Sequence, residues 1–137
     1  MNKLPTDRRV LECIFEMYQS SYPGTKAVSG HAGENDPYVA IDIPTLAAKL
    51  DCSPELLFGR LYYYLDQKHR YKQDNGSIVP LFHLEVGGKR HAVQFPYLAS
   101  ILAGFNQEHN RFLVSLAVSI LALVLSVASL VVSMVKP

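Results

Sequence analysis

IPTLAAKLDCSPELLFGRLYYYLDQK, residues 43–68, sets the architecture of the N-terminal part of this chain. Pro44 suits the first turn of a helix running through Leu50, because its missing N–H would have no partner there anyway. Asp51 stands where the chain must reverse, and aspartate enters the left-handed region more readily than most residues. Ser53-Pro54-Glu55 then restarts a helix: a capping hydroxyl, a proline at the first helical position and an acid in the positive first turn. Leu57, Leu61, Tyr64 and Leu65 recur at helical spacing and are predicted to form its buried face up to about Lys68. Two helices joined so tightly form a helix-turn-helix unit.

Upstream, residues 6–18 read as a helix, with Thr6 as cap, Asp7 at the positive end, and Val10, Leu11, Ile14, Phe15 and Tyr18 on one apolar face. Residues 19–37 are rich in Ser, Gly and Pro and are predicted to be a long loop insertion. Its Gly24-Thr25-Lys26 lacks the spacing of a phosphate-binding loop. A short β-rich run, YVAIDI, occupies residues 38–43. Downstream, residues 78–86 and 89–95 flank Gly87-Gly88, a two-residue hairpin signal. That turn sets Val86 opposite Lys89, Leu84 opposite His91 and Phe82 opposite Val93. Phe82, Leu84, Val86, Val93 and Phe95 then fall on one face, and Glu85 meets Arg90 on the other. Pro96 opens a docking helix with Tyr97, Leu98, Ile101, Leu102 and Phe105 on its apolar face. NQEHNR, residues 106–111, follows as a polar stalk, either helical or a short break.

The order helix, strand, helix, tight turn, helix, hairpin resembles the winged-helix group of helix-turn-helix domains. Leu46, Ala47, Leu50, Ser53, Leu57, Leu61 and Leu65 sit at matching apolar or capping positions, while Asp51 and Cys52 stand where that family often has Gly and Val. The resemblance covers residues 6–95 and implies an α+β fold, a small winged-helix-like domain of three helices plus a β-hairpin wing. The same fold serves DNA binding and protein contacts, so it implies no single activity. It makes residues 54–68 the recognition helix, with Glu55, Leu56, Gly59, Arg60, Tyr62, Tyr63, Asp66 and Gln67 expected on its exposed side. Only Arg60 among them is cationic, whereas DNA readers draw most of their affinity from several phosphate contacts. Leu56, Arg60, Tyr62 and Tyr63 are therefore the candidate partner surface, with tyrosine a residue type enriched at protein contacts. Lys68, Arg70 and Lys72 after the helix, with Lys89 and Arg90 at the wing tip, are candidates for phosphate or lipid headgroups; solvated loops carry the same composition.

The other decisive stretch is residues 112–135, which hold no charge, no Pro and no Gly, with five serines as their polar groups. As a helix they extend about 36 Å, enough to cross a hydrocarbon core of about 30 Å with some tilt. A soluble core helix of that kind would need a larger protein around it. The predicted layout is thus a cytosolic domain over residues 1–95, a docking helix and stalk over 96–111, and a transmembrane helix over 112–135. Ser115, Ser119, Ala122, Ser126, Ser129 and Ser133 step by four and three, a stripe of small residues that forms a candidate self-association seam; Ser and Ala are also simply common in such spans. MNKLPTDRRVLE lacks the apolar core of a signal peptide, so the N-terminal domain is expected on the cytosolic side. Beyond the span only Lys136 and Pro137 follow, which leaves no room for a sensory domain on the far side.

The whole-chain balance of 13 basic and 12 acidic residues gives +1, no strong field for nucleic acid or lipid. Cys13 and Cys52 are expected to be reduced, buried and structural. His83 and His91 are the nearest histidine pair but fall on opposite faces of the expected hairpin; His31, His69 and His109 lie on separate segments. No Cys/His set and no two carboxylates have useful spacing on one element, so neither a cofactor nor catalysis is expected. The sequence therefore points to a non-enzymatic, tail-anchored membrane protein that presents its module to a protein partner. A membrane-tethered DNA-binding regulator is the first alternative, and an oligomerising subunit of a larger membrane complex the second.

Overall fold

A computed structural model describes residues 4–22 and 37–136. Most of the loop expected over 19–37, with Gly24-Thr25-Lys26 and His31, lies outside the described residues. The chain falls into two units, Met1–Leu102 and Ala103–Pro137.

The first unit mixes short helices with two small antiparallel sheets. Helix α1, Asp7–Tyr18, starts where Thr6 Oγ1 accepts the N–H of Arg9. It buries Val10, Leu11, Cys13 and Ile14, with Phe15 and Tyr18 half-buried. A single 3₁₀ turn, Gln19–Ser21, follows. Strand β1 is Tyr38–Ala40, shorter than the run of β-formers that contains it. Helix α2, Ile43–Leu50, begins one residue before Pro44 and ends on Asp51 at φ 53°, ψ 48°. The reversal at Asp51 thus takes the left-handed form expected of it. Ser53 Oγ accepts the N–H of Leu56 to cap α3, Pro54–Gly59.

From there the chain departs from a regular α-helix. Arg60–Leu65 forms a π-helical segment before α4, Asp66–His69, completes the element. Each π bond spans one residue more than an α bond, so a wheel drawn at α spacing slips. Leu57, Leu61, Leu65 and Asp66 are buried, while Tyr64, expected in the core, is exposed. Asp66, expected on the exposed side, is 3% accessible. Its Oδ1 accepts the N–H groups of Leu81 (2.8 Å) and Phe82 (3.0 Å), and its Oδ2 pairs with Arg70. One carboxylate thus fixes the end of the helix to the start of a strand.

The strand expected over residues 78–86 is divided. Strands β2, Tyr71–Lys72, and β3, Ile78–Val79, form their own two-stranded sheet around Asn75-Gly76. Pro80 has no N–H to continue a ladder, and β4 starts afresh at Phe82–Val86. Strand β5, Lys89–Gln94, pairs with β4 across Gly87 (φ 55°) and Gly88 (φ 78°). Two positive φ values in succession define the type I′ turn, which glycine adopts without a Cβ clash.

The expected register holds at Val86–Lys89, Glu85–Arg90 and Phe82–Val93. It fails locally at Leu84–His91, because His91 has φ 53°. Ala92 and Val93 beyond it are both buried, and Leu84, expected on the apolar face, is 58% exposed. The carbonyl of His91 turns to accept the N–H of Ile41 (3.0 Å). Strand β1 pairs with the far edge of β5, giving the sheet order β1-β5-β4.

Helix α5 runs from Phe95 to Val135. In the first unit Phe95, Leu98 and Leu102 are buried, and Phe95 stacks on Phe15 and Tyr22 at 5.2 Å each. The Tyr97 hydroxyl donates to the carbonyl of His69. The second unit is helical through residue 135, so residues 106–111 form no break.

Candidate functional site

The helical face of residues 54–69 carries most of the candidate surface. Leu56 is 58% and Tyr63 77% exposed, so both stand on the open side of this element as expected. Tyr62 does not. Its ring packs on Phe58 (4.7 Å between centroids) and Phe82 (6.3 Å), and its hydroxyl lies 3.1 Å from the carbonyl of His83 and 2.9 Å from Nδ1 of His91. Burial, with the nearby charge of Asp66, pushes the Tyr62 phenol up to about 12. The π segment has exchanged the roles of Tyr62 and Tyr64.

Arg60 is held as well. Asp7, on the first turn of α1, accepts from the guanidinium of Arg60 and from Nζ of Lys68 (3.0 Å). Both cations also lie over the ring of Tyr64, at 5.3 and 5.6 Å from its centre. Burial pushes the Asp7 carboxyl up, but the bonds from Lys68 and Arg60 outweigh it and hold it below the usual carboxylate value. The bond to Asp7 raises Lys68 in turn. This cluster is a clasp between α1 and the long helical element.

The remaining basic candidates do not converge on one patch. Arg70 is bonded to Asp66. Lys89 Nζ donates to the carbonyl of Tyr38 (2.8 Å). Lys72 and Arg90 are exposed, on separate hairpins. Clusters of His, Cys, Asp and Glu able to hold a metal are absent among the described residues. His83 meets Tyr38 edge-on at 4.9 Å, whereas His91 faces Tyr62 and Phe58, so the two histidines serve different neighbourhoods. Burial lowers His69 and raises Cys13 and Cys52. Cys13 is buried; Cys52, expected to be buried too, is half-exposed, and both are free thiols.

Sequence reasoning missed one concavity. Ile43, Pro44, Pro54, Glu55, Phe58 and His91 line an open cleft of ≈ 340 Å³ where α2, α3 and β5 meet. His91, at φ 53°, is one of its walls, and no residue pattern announces a left-handed histidine inside a strand.

In the second unit, the apolar part of α5 is long and apolar enough to cross a membrane; its most apolar window has a mean hydropathy of 2.6 and is 0% buried. The stripe of small residues is exposed throughout. Three of its serines bond back into the helix: Ser119 to the carbonyl of Ser115 (2.9 Å), Ser126 to that of Ala122 (2.8 Å) and Ser133 to that of Leu130 (2.8 Å). No protein-family model matches the chain, and no curated protein or solved structure is significantly similar to it.

Proposed function

We propose that the chain is a non-enzymatic, single-pass membrane protein whose residues 112–135 span the bilayer and whose first unit is a winged-helix-like module that binds protein on the cytosolic side. The observation that carries the anchor is the apolar helix whose best window has none of its surface covered by protein. In water that surface would be a severe aggregation liability, and in lipid it is solvated. Serine hydroxyls turned onto the helix's own carbonyls suit the same solvent, where an unpaired polar group is costly. The winged-helix reading draws on the order α1, β1, α2, α3 and a terminal hairpin.

Protein binding is favoured over DNA binding by charge. Arg60 and Lys68 are already paired with Asp7, so a phosphate would have to compete with a carboxylate for both. Exposed Leu56 and Tyr63 offer apolar and aromatic area instead. Membrane confinement would raise the effective concentration of a partner on the same surface.

Full-length chain synthesised without detergent in the presence of lipid vesicles tests the anchor. Co-flotation with the vesicles is expected, and a monomer that stays in the soluble fraction would refute it. The DNA alternative predicts binding of the full chain, in neutral micelles, to random duplex at low salt, lost steeply as salt rises.

A further inference from the structure

Asn75-Gly76, which turns the chain between β2 and β3, carries chemistry beyond the turn itself. Both residues are exposed. Asn75 Oδ1 accepts the N–H of Ser77 (2.9 Å), which holds the side-chain amide turned back over the peptide that follows it. The same donor polarises that amide carbonyl, because it is aimed at an oxygen that gains charge when the carbon is attacked. The adjacent backbone nitrogen belongs to Gly76, the residue that crowds an attack least. A Cβ placed on Gly76 would meet nothing closer than Lys72 Cε at 4.0 Å, so this peptide lies open to water. One restraint opposes attack: the Gly76 N–H donates to the carbonyl of Gln73 (2.9 Å). The hairpin is paired at two positions, Tyr71 with Val79 and Lys72 with Ile78, so a local opening frees that nitrogen without unfolding the rest of the first unit.

We infer that Asn75 is a site of spontaneous deamidation, and that its conversion loosens the β2–β3 hairpin from α5. The Gly76 nitrogen gives up its proton to solvent and bonds to Cγ of Asn75. The side-chain nitrogen takes a proton from solvent and leaves as ammonia, which closes a succinimide ring. Water then adds to one of the two ring carbonyls and opens it. The net change consumes a water and releases an ammonia, with no oxidant or cofactor. Opening at one carbonyl leaves aspartate in the normal backbone; opening at the other leaves isoaspartate, whose backbone runs through the side-chain methylene. Either product puts a second negative charge beside Asp74, and isoaspartate lengthens the turn that sets Tyr71 opposite Val79. Tyr71 packs edge-on against Tyr97 in the first turn of α5 (5.1 Å between centroids), so a change at the turn reaches that helix. Asn106 and Asn110 lie inside α5 and precede Gln107 and Arg111, where a helical backbone and a larger following side chain both oppose ring closure.

The test ages full-length chain in neutral detergent micelles at physiological pH and temperature. Peptide mapping by mass spectrometry follows each asparagine, an isoaspartyl methyltransferase labels the rearranged product, and NMR follows the Tyr97 ring. The Asn75 peptide is expected to gain one mass unit, partly as isoaspartate, at a rate within about ten-fold of the free peptide of residues 71–79, since only hairpin opening separates the two. Asn106 and Asn110 should remain amides over the same period, and the Tyr97 ring signal should shift as product accumulates. Asn75 intact when the free peptide has converted, Asn106 or Asn110 converting as fast, aspartate without isoaspartate, or a Tyr97 signal unmoved in converted chain would each overturn the inference.

Discussion

Replacing Asp66 by alanine should be among the most damaging single changes in the first unit. The carboxylate is 3% exposed and receives two backbone N–H groups, from Leu81 and Phe82, through one oxygen, with Arg70 on the other. Alanine removes the acceptor, and its methyl group can receive neither N–H. An orphaned buried donor costs about 1–3 kcal/mol, so the pair costs about 2–6 kcal/mol. Arg70 is partly solvated, and its loss of a partner adds at most about 1 kcal/mol. Against a domain stability of about 5–15 kcal/mol, Asp66→Ala takes the fold towards its margin. Asp66→Asn separates the contributions, because its amide oxygen can still accept from Leu81 and Phe82 while the charge facing Arg70 is gone. Asparagine should therefore retain more than half of the stability that alanine loses. Urea unfolding of the full chain in neutral micelles, followed by near-UV circular dichroism, measures both variants; amide exchange at Leu81 and Phe82 reports the two donors directly. A loss below about 1 kcal/mol in Asp66→Ala, or equal losses in the two variants, would refute the reasoning.

Acid should loosen the clasp on α1. Asp7 is held below its usual value in the folded chain, so its contribution is complete above the ordinary carboxylate range and disappears as pH falls through the folded value; Asp7→Asn should flatten that part of a stability-against-pH profile measured by urea unfolding. In the second unit, chemical cross-linking in micelles should trap a dimer that Ser119→Leu and Ser126→Leu each weaken several-fold, because leucine holds the two backbones apart. A monomer indifferent to both changes would dispose of the seam.

Much of this architecture is legible in residue order because its signals are local. Thr6 and Ser53 cap the helices they precede, Asp51 turns left-handed, and Gly87-Gly88 closes the hairpin in the register that pairs Val86 with Lys89. What could not be read depends on neighbours distant in sequence. The π segment that exposes Tyr64 and shelters Tyr62 is paired with packing against Phe82 and a bond to His83, some twenty residues away. Asp66 looks like any charged residue near a helix end until the N–H groups of Leu81 and Phe82 are seen to need it. The separate β2–β3 hairpin was open to discovery, since Asn75-Gly76 between short β-forming pairs is a turn signal and Pro80 a strand breaker. The cleft at His91 was not, because a kink held by Ile41 and Tyr62 leaves no trace in periodicity.

The inward-turned serines of the apolar helix bear on how its copies would behave together. With Ser119, Ser126 and Ser133 answered by carbonyls of their own helix, those three hydroxyls would need no neighbouring copy to complete their bonding in lipid. Any pairing along that stripe would then be decided by the fit of one backbone against another. In a bilayer such an association would be reversible and would follow how crowded the membrane is with copies, so expression level alone would shift it.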